Sequence, residues 1–267
     1  MGLLEGVVDR FSGVTVTSFP KGEVDFRSSL TESLEAWGSS GKRGVWLKFP
    51  VLQSSLVAIA VGEFGFRLHH CKATYIMCTK WVDAKSPDML PNFATHMVGI
   101  GGLVLNSKRE LLCVSERFSS RGLSYKLPGG MLDPGESLPE GVEREVLEET
   151  GIHVKFQCLT GLRHNPVSSA YFENGDMYFC AVCSPVDESE AIQMDGNEIS
   201  ACLWVPLETY LNDPNVFPFN KSMVRAALAA IDRGSAFLPT ELGTSPYYKA
   251  GAQFYTPKRE AEGAAGD

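Results

Sequence analysis

The stretch from Gly129 to Ile152, GGMLDPGESLPEGVEREVLEETGI, constrains this chain more than any other, because it crowds Glu136, Glu145, Glu148 and Glu149 around a glycine turn and a short helix. Ser137 is a good N-cap residue, Glu140 follows three positions later as in a capping box, and Pro139 is tolerated in a first turn whose amides lack intrahelical partners. Gly151 can enter the left-handed conformation, so the helix should stop near Thr150. At about 100° per residue, Glu145, Glu148 and Glu149 fall within an arc of roughly 100° on one face. Such like charges cost a few tenths of a kcal/mol per pair, about the size of a helical ion pair with its sign reversed. A hard divalent cation between the oxygens relieves that repulsion, and Mg²⁺ or Mn²⁺ is the natural tenant.

Arg144 stands four residues before Glu148, close enough to pair with it and orient its carboxylate. Val142 and Val146 form an adjacent apolar stripe that would pin the helix to a sheet. Upstream, Ser124-Tyr125-Lys126-Leu127 alternates like a strand and runs into Pro128-Gly129-Gly130, where the backbone can approach a metal closely. The competing reading, a solvated acidic helix, explains the glutamates but neither the glycines nor the fixed spacing.

The order Gly130, five residues, Glu136, seven residues, then Arg144-Glu145-Val146-Leu147-Glu148-Glu149-Thr150-Gly151-Ile152 resembles the Nudix box at every fixed position. The resemblance implies a metal-dependent hydrolase of nucleoside diphosphates linked to another group. It implies that Gly130, through its carbonyl, and Glu145, Glu148 and Glu149 hold the metal, and that Glu136 is more structural than catalytic. Arg43-Gly44-Val45-Trp46-Leu47-Lys48, Glu63 to His70, Tyr75-Ile76-Met77 and His96 to Gly101 are similar to one Nudix subgroup. That subgroup contains plant ADP-ribose and NADH pyrophosphatases and a vertebrate Nudix protein encoded antisense to fibroblast growth factor 2. The likeness runs from about residue 24 to 235. It implies a homodimer, ADP-ribose or NADH as substrate, and an N-terminal region like half of a GNAT acetyltransferase. No acetyl-CoA pyrophosphate loop accompanies that region.

Further candidates lie outside the box. Glu198 precedes Trp204 by six positions, where Nudix enzymes often place an additional acidic residue; it is either a metal ligand or general base, or an exposed glutamate beside Asp187, Glu188, Glu190 and Asp195. Tyr125 takes the place of a tryptophan common in the family, as an aromatic wall for substrate or as strand packing. Pro166, fifteen residues beyond Gly151, stands near a proline of ADP-ribose-preferring members, or is a turn proline. The Ser-Gln-Pro-Trp-Pro-Phe-Pro-x-Ser motif of dedicated NADH pyrophosphatases is missing; Phe217-Pro218-Phe219 echoes part of it far too late. Arg121, Lys126 and Arg163 are cations able to meet phosphate, or ordinary surface charges. The His69-His70 pair reads as a packing feature, since two imidazoles alone form neither a triad nor a metal site.

These residues give a mechanistic expectation: the cation set neutralises developing charge, Glu149 or Glu198 takes a proton from water, Arg144 orients its neighbours, and in-line displacement releases a nucleoside monophosphate. A rival is a sensor that binds ADP-ribose or NADH without turnover and acts through the N-terminal region; intact carboxylates weigh against it.

A net charge of −8 with no basic run argues against a nucleic-acid surface or an anionic membrane as partner, and leaves a small nucleotide substrate. Seven cysteines lack the dense spacing of a disulfide framework, and Cys180-Ala181-Val182-Cys183 has no second pair to complete a zinc site. No stretch is apolar enough to span a membrane; Val51 to Val61 is too short. With no targeting signal recognised at either end, the cytoplasm is the default location.

Periodicity predicts strands at Thr15 to Phe19, Val45 to Phe49 and Thr74 to Trp81, with helices at Ser28 to Trp37 and Leu52 to Glu63, making a small α/β domain over residues 1–90. Residues 91–235 follow a turn-rich connector. Strands are predicted there at His96 to Leu105, Leu111 to Ser115, Val154 to Leu159, Met177 to Val182 and Ala201 to Pro206, with helices in the box and at Asn220 to Ile231, fitting an α/β/α sandwich. Residues 236–267 lose periodicity and read as a tail, disordered from Glu260 onward.

Overall fold

The computed structural model describes residues 2–118, 123–167, 174–241 and 252–257. The chain divides into two compact units, Met1–Thr95 and His96–Asp267. Among the described residues, no helix is long and apolar enough to cross a membrane.

In the first unit, β1 (Gly6–Val8), β2 (Val14–Val16), β3 (Gly44–Pro50), β4 (Arg67–Lys72) and β5 (Tyr75–Trp81) form a sheet ordered β1-β2-β3-β5-β4, antiparallel except for the β2–β3 pair. Alternation along β3 sends Val45, Leu47 and Phe49 into the core. There they meet Phe26, Leu30 and Trp37 of α1 (Glu23–Ser39) and Leu56, Ile59 and Ala60 of α2 (Ser55–Gly62). Helix α1 begins five residues before the predicted Ser28. Its N-cap is Gly22, without a side-chain cap, and Glu23 and Asp25 supply the negative charge a helix start favours. The predicted second helix is broken into a 3-10 turn, Val51–Gln53, and α2; the Gln53 amide donates to the carbonyls of Phe19 and Pro20, both at 3.3 Å. Strands β1 and β4 carry little or no buried residue and so show no alternation to read.

In the second unit, β6 (His96–Val104), β8 (Gly129–Met131), β9 (Val154–Asn165), β10 (Gly175–Pro185), β12 (Phe237–Glu241) and β13 (Gln253–Pro257) form a sheet ordered β13-β12-β9-β10-β6-β8. The strands β7 (Glu110–Glu116) and β11 (Ile199–Pro206) pair separately. The sheet has an apolar layer on each face. Ile100 and Val104 of β6 pack with Val142 and Val146 of α3 (Leu138–Thr150), whereas Leu103 and Cys180 pack with Tyr210 of α4 (Leu207–Asn212) and with Val224 and Ala227 of α5 (Pro218–Asp232). This is the α/β/α sandwich expected from the sequence. Cys180 lies in one layer and Cys183 in the other, on opposite sides of β10, so the pair cannot share a zinc ion.

The β9–β10 hairpin is twice irregular, with register shifts between Cys180 and Ala181 and between Val182 and Cys183. Both strands extend beyond their predicted ends, β9 by six residues because its distal half, Thr160 to Asn165, is largely polar or exposed. The tail expected over residues 236–267 is corrected in part. Strand β12 pairs with β9 at Phe237↔Leu159 and along its length with β13, whose Tyr255 packs on the α3 layer. Pro239 and the shortness of both segments hid this hairpin from any periodicity. The disorder expected from Glu260 onward lies outside the described residues.

Ile100 is fully buried beneath α3 and sits opposite Gly130 in the β6–β8 register. Ile100→Ala should lower stability by about 3 kcal/mol in urea denaturation, whereas Leu52→Ala, at a side chain 99% exposed, should change it by less than about 0.5 kcal/mol.

Candidate active site

Helix α3 begins with the predicted capping box: Ser137 accepts from the Glu140 amide at 3.4 Å while the Ser137 amide donates to Glu140 Oε2 at 2.9 Å. It ends at Gly151, whose φ of 73° lets its N–H reach the Leu147 carbonyl at 2.8 Å. Between these stops, Val142 and Val146 seat the helix on the sheet and turn its acidic face toward the Gly129-Gly130 turn. Gly129 has φ of 149°, and any Cβ there would lie 2.2 Å from the Ile100 carbonyl oxygen. A Cβ on Gly130 would lie 2.6 Å from a Glu145 carboxylate oxygen. The two glycines therefore let Glu145 rest against the backbone of β8.

Glu149 is almost wholly buried and accepts a hydrogen bond from the Gly129 N–H at 2.7 Å, with the Lys126 ammonium 3.8 Å from its other oxygen. Burial raises its pKa to about 7, against the pull of Lys126 and of the Gly129 amide. Burial raises the pKa of Glu145 as well, despite its contact with Arg144.

Arg144 does more than pair with Glu148. Its guanidinium grips Glu136 with two hydrogen bonds, at 2.7 and 2.9 Å, and reaches Glu145 and Glu148, each at 2.9 Å, and the Met131 carbonyl at 3.0 Å. Glu136, held below the usual carboxylate range chiefly by Arg144, also accepts from the Asp133 amide. The pair clamps the loop before α3 to the helix, consistent with the structural role expected of Glu136.

Glu145, Glu148, Glu149, Asp195 and Glu198 line one cleft. Glu198 thus joins the box carboxylates, and Asp195, which the sequence reading treated only as a neighbour, joins them too. An Asx turn aims Asp195, whose Oδ1 accepts from the Asn197 amide at 3.0 Å. Among the described residues no three acidic, histidine or cysteine side chains yet form a closed metal-ligand set. The donor chemistry nevertheless suits a hard cation: all are oxygens, Glu149 is buried and Glu145 half-buried, with burial raising the pKa of both, and the Glu148 side chain, 60% exposed, has room to turn from Arg144.

A second cleft, of 260 Å³, adjoins the turn on the α5 side and is lined by Glu116, Lys126, Gly129, Gly130, Arg163, Asp176, Tyr178, Phe219 and Asn220 among others. Lys126 and Arg163 thus stand at this cleft. Lys126 pairs with Glu116 at 2.7 Å. Tyr125 points elsewhere, packed on the layer containing Leu103 and Leu111, so strand packing accounts for its position and it lines neither cleft. Pro166 is exposed just past the end of β9 and lines neither cleft as well. Arg121 lies outside the described residues.

Residues 95–227 match the NUDIX domain family, and residues 4–82 match a family described as the Nudix hydrolase domain. Nudix hydrolase 8 of Arabidopsis thaliana is 39% identical over 218 residues, covering 80% of this chain and 58% of that protein. The chain thus spans little more than half of that relative's length. Nudix hydrolase 7 of the same plant is 37% identical over 248 residues, covering 89% of this chain and 86% of that protein. Nucleoside diphosphate-linked moiety X motif 6 of Mus musculus is 34% identical over 238 residues, covering 86% and 74% respectively. With these matches extending along both units, and with the glycine turn and acidic helix carrying the box, the chain belongs to the Nudix hydrolases, enzymes that split nucleoside diphosphates joined to a further moiety.

Proposed function

We propose that this chain hydrolyses the diphosphate of ADP-ribose, NADH or both, in the presence of Mg²⁺ or Mn²⁺, giving AMP with ribose 5-phosphate or with reduced nicotinamide mononucleotide. The observation that carries this reading is Glu149, a carboxylate buried against a glycine amide beside Glu145, in a cleft whose other walls are also acidic. Such a cluster is costly unless a cation shares it.

The Gly130 carbonyl, Glu145, Glu148 and Glu149 would hold the cation, which when bound supplies Lewis-acid stabilisation of charge on the phosphoryl oxygens. The remaining work belongs to the chain's own groups. Arg144 is a positioning residue: by gripping Glu136, Glu145 and Glu148 together it fixes the carboxylates before substrate arrives. Glu198 or Glu149 accepts the proton of the attacking water as its oxygen bonds to phosphorus and the bridging P–O bond breaks. Lys126, between Glu116 and Glu149, sets a positive charge beside the glycine turn where a diphosphate oxygen would lie.

Glu148→Gln combined with Glu149→Gln should reduce turnover of ADP-ribose and NADH by about 100-fold or more, read as phosphate released after phosphatase treatment. Unchanged turnover would remove these residues from the reaction. A panel adding CoA, diadenosine polyphosphates and oxidised dGTP would rank the substrates and expose a pure binding protein.

The acidic cleft also fixes a dependence on pH. Because the folded pKa of Glu149 lies near 7, above the ordinary 4.5, its contribution to stability is complete below about 4.5 and is lost as pH rises through about 7. In EDTA, denaturation at pH 8 should therefore show Glu149→Gln to be about 2 kcal/mol more stable than the parent, with the difference vanishing near pH 4. Added Mg²⁺ should reverse the order at pH 8, because the cation binds the intact carboxylates.

A further inference from the structure

The second cleft contains an ion pair that the phosphate chemistry does not use. Arg163 of β9 stands directly opposite Tyr178 of β10, and Asp176, two residues from Tyr178, shares that face of the sheet. Arg163 donates from Nη2 to Asp176 Oδ1 at 2.9 Å, which leaves Oδ2 as an acceptor. Its guanidinium carbon lies 4.9 Å from the Tyr178 ring centre and 5.5 Å from that of Phe219, near the start of α5. The Nε–H is buried and has no hydrogen-bond partner among the described residues. A buried donor on a cation is costly to leave unmade.

We propose that Arg163 and Asp176 select the moiety joined to the diphosphate. The moiety is a flat ring that presents a hydrogen-bond acceptor beside an amino or amide donor, as the adenine edge and the nicotinamide carboxamide both do. This rests on the hydrolase reading, whose site it extends. Arg163 Nε–H supplies the donor and Asp176 Oδ2 the acceptor for such an edge, while Phe219, 39% exposed, offers its ring as a stacking face. Charge favours a neutral ring at this end of the cleft over another phosphate. Arg163 is balanced by Asp176 at 2.9 Å, whereas the phosphates belong beside the glycine turn, where the cation would be held. At 260 Å³ the cleft is at the small end of ligand sites and suits one ring with its sugar. The room for Tyr178 comes from β6: a Cβ on Gly101 would lie 1.9 Å from the Tyr178 hydroxyl oxygen. The same packing backs the guanidinium with the Tyr178 ring.

The test is calorimetric titration of the full chain in EDTA with AMP, nicotinamide mononucleotide and ribose 5-phosphate, for the parent, Arg163→Ala, Arg163→Lys, Asp176→Asn and the Glu148→Gln plus Glu149→Gln variant. Lysine keeps the charge and much of the packing but lacks the Nε–H beside a second donor. Arg163→Lys should therefore weaken the mononucleotide that binds by about tenfold or more, as should Arg163→Ala, with ribose 5-phosphate unaffected. Which mononucleotide responds identifies the ring. The inference is overturned if both Arg163 variants bind like the parent, or if neither mononucleotide binds the parent more tightly than ribose 5-phosphate. The double glutamine variant separates this from the hydrolase reading: it should lose turnover yet keep the Arg163-dependent binding. A parent that binds through Arg163 but turns over no diphosphate would sink only the hydrolase reading.

Discussion

The hydrogen bond from the Gly129 amide to Glu149 joins the two parts on which the site depends. One end belongs to the glycine turn at the edge of the sheet, and the other to the last turn of the acidic helix. It fixes the approach of helix to strand at a point where the apolar stripe of Val142 and Val146 has already set the distance. A side chain at Gly129 would strike the Ile100 carbonyl, so the bond and the absent side chain are one constraint seen from two sides. The cost is a carboxylate withdrawn from water, visible in its raised pKa.

Arg144 answers a different need. Carboxylates crowded on one helical arc repel, and a single guanidinium that contacts Glu145 and Glu148 of the helix and Glu136 of the loop before it holds these three in one arrangement. Its rigid fork suits that task better than a lysine would, because two parallel bonds to Glu136 fix the plane from which the other donors project. The acidic helix is thus ordered by a cation from its own surface.

The box helix, its cap, its stop and the buried face set by Val142 and Val146 were legible in the sequence because each rests on interactions within a few residues. So were the central strands β3, β6 and β7, whose apolar residues follow the sheet. Strands β1, β4, β12 and β13 were not, since their residues are exposed or too few to establish a period. In the site, Glu198 could be named from its distance to Trp204, but Asp195 could not, because a loop turn rather than a spacing aims it. Asp176 and Phe219 were invisible for another reason. They meet Arg163 only through strand register and through a helix more than fifty residues later in the chain. The alternate glycines Gly99 and Gly101 were the one local sign that a neighbouring strand needed room for a ring.

The two register shifts in the β9–β10 hairpin divide it into halves with separate tasks. Each shift lets β9 gain one residue on β10, so the two together restore the original facing. The half with Val154 and Leu159 is committed to the layer beneath α3; the half with Arg163 and Asp176 keeps Phe179 on that layer and carries Arg163 and Asp176 on its other face. Residues on that other face, toward the connection between the two strands, can therefore diverge to suit a different guest while the face beneath α3, and the helix resting on it, stay as they are.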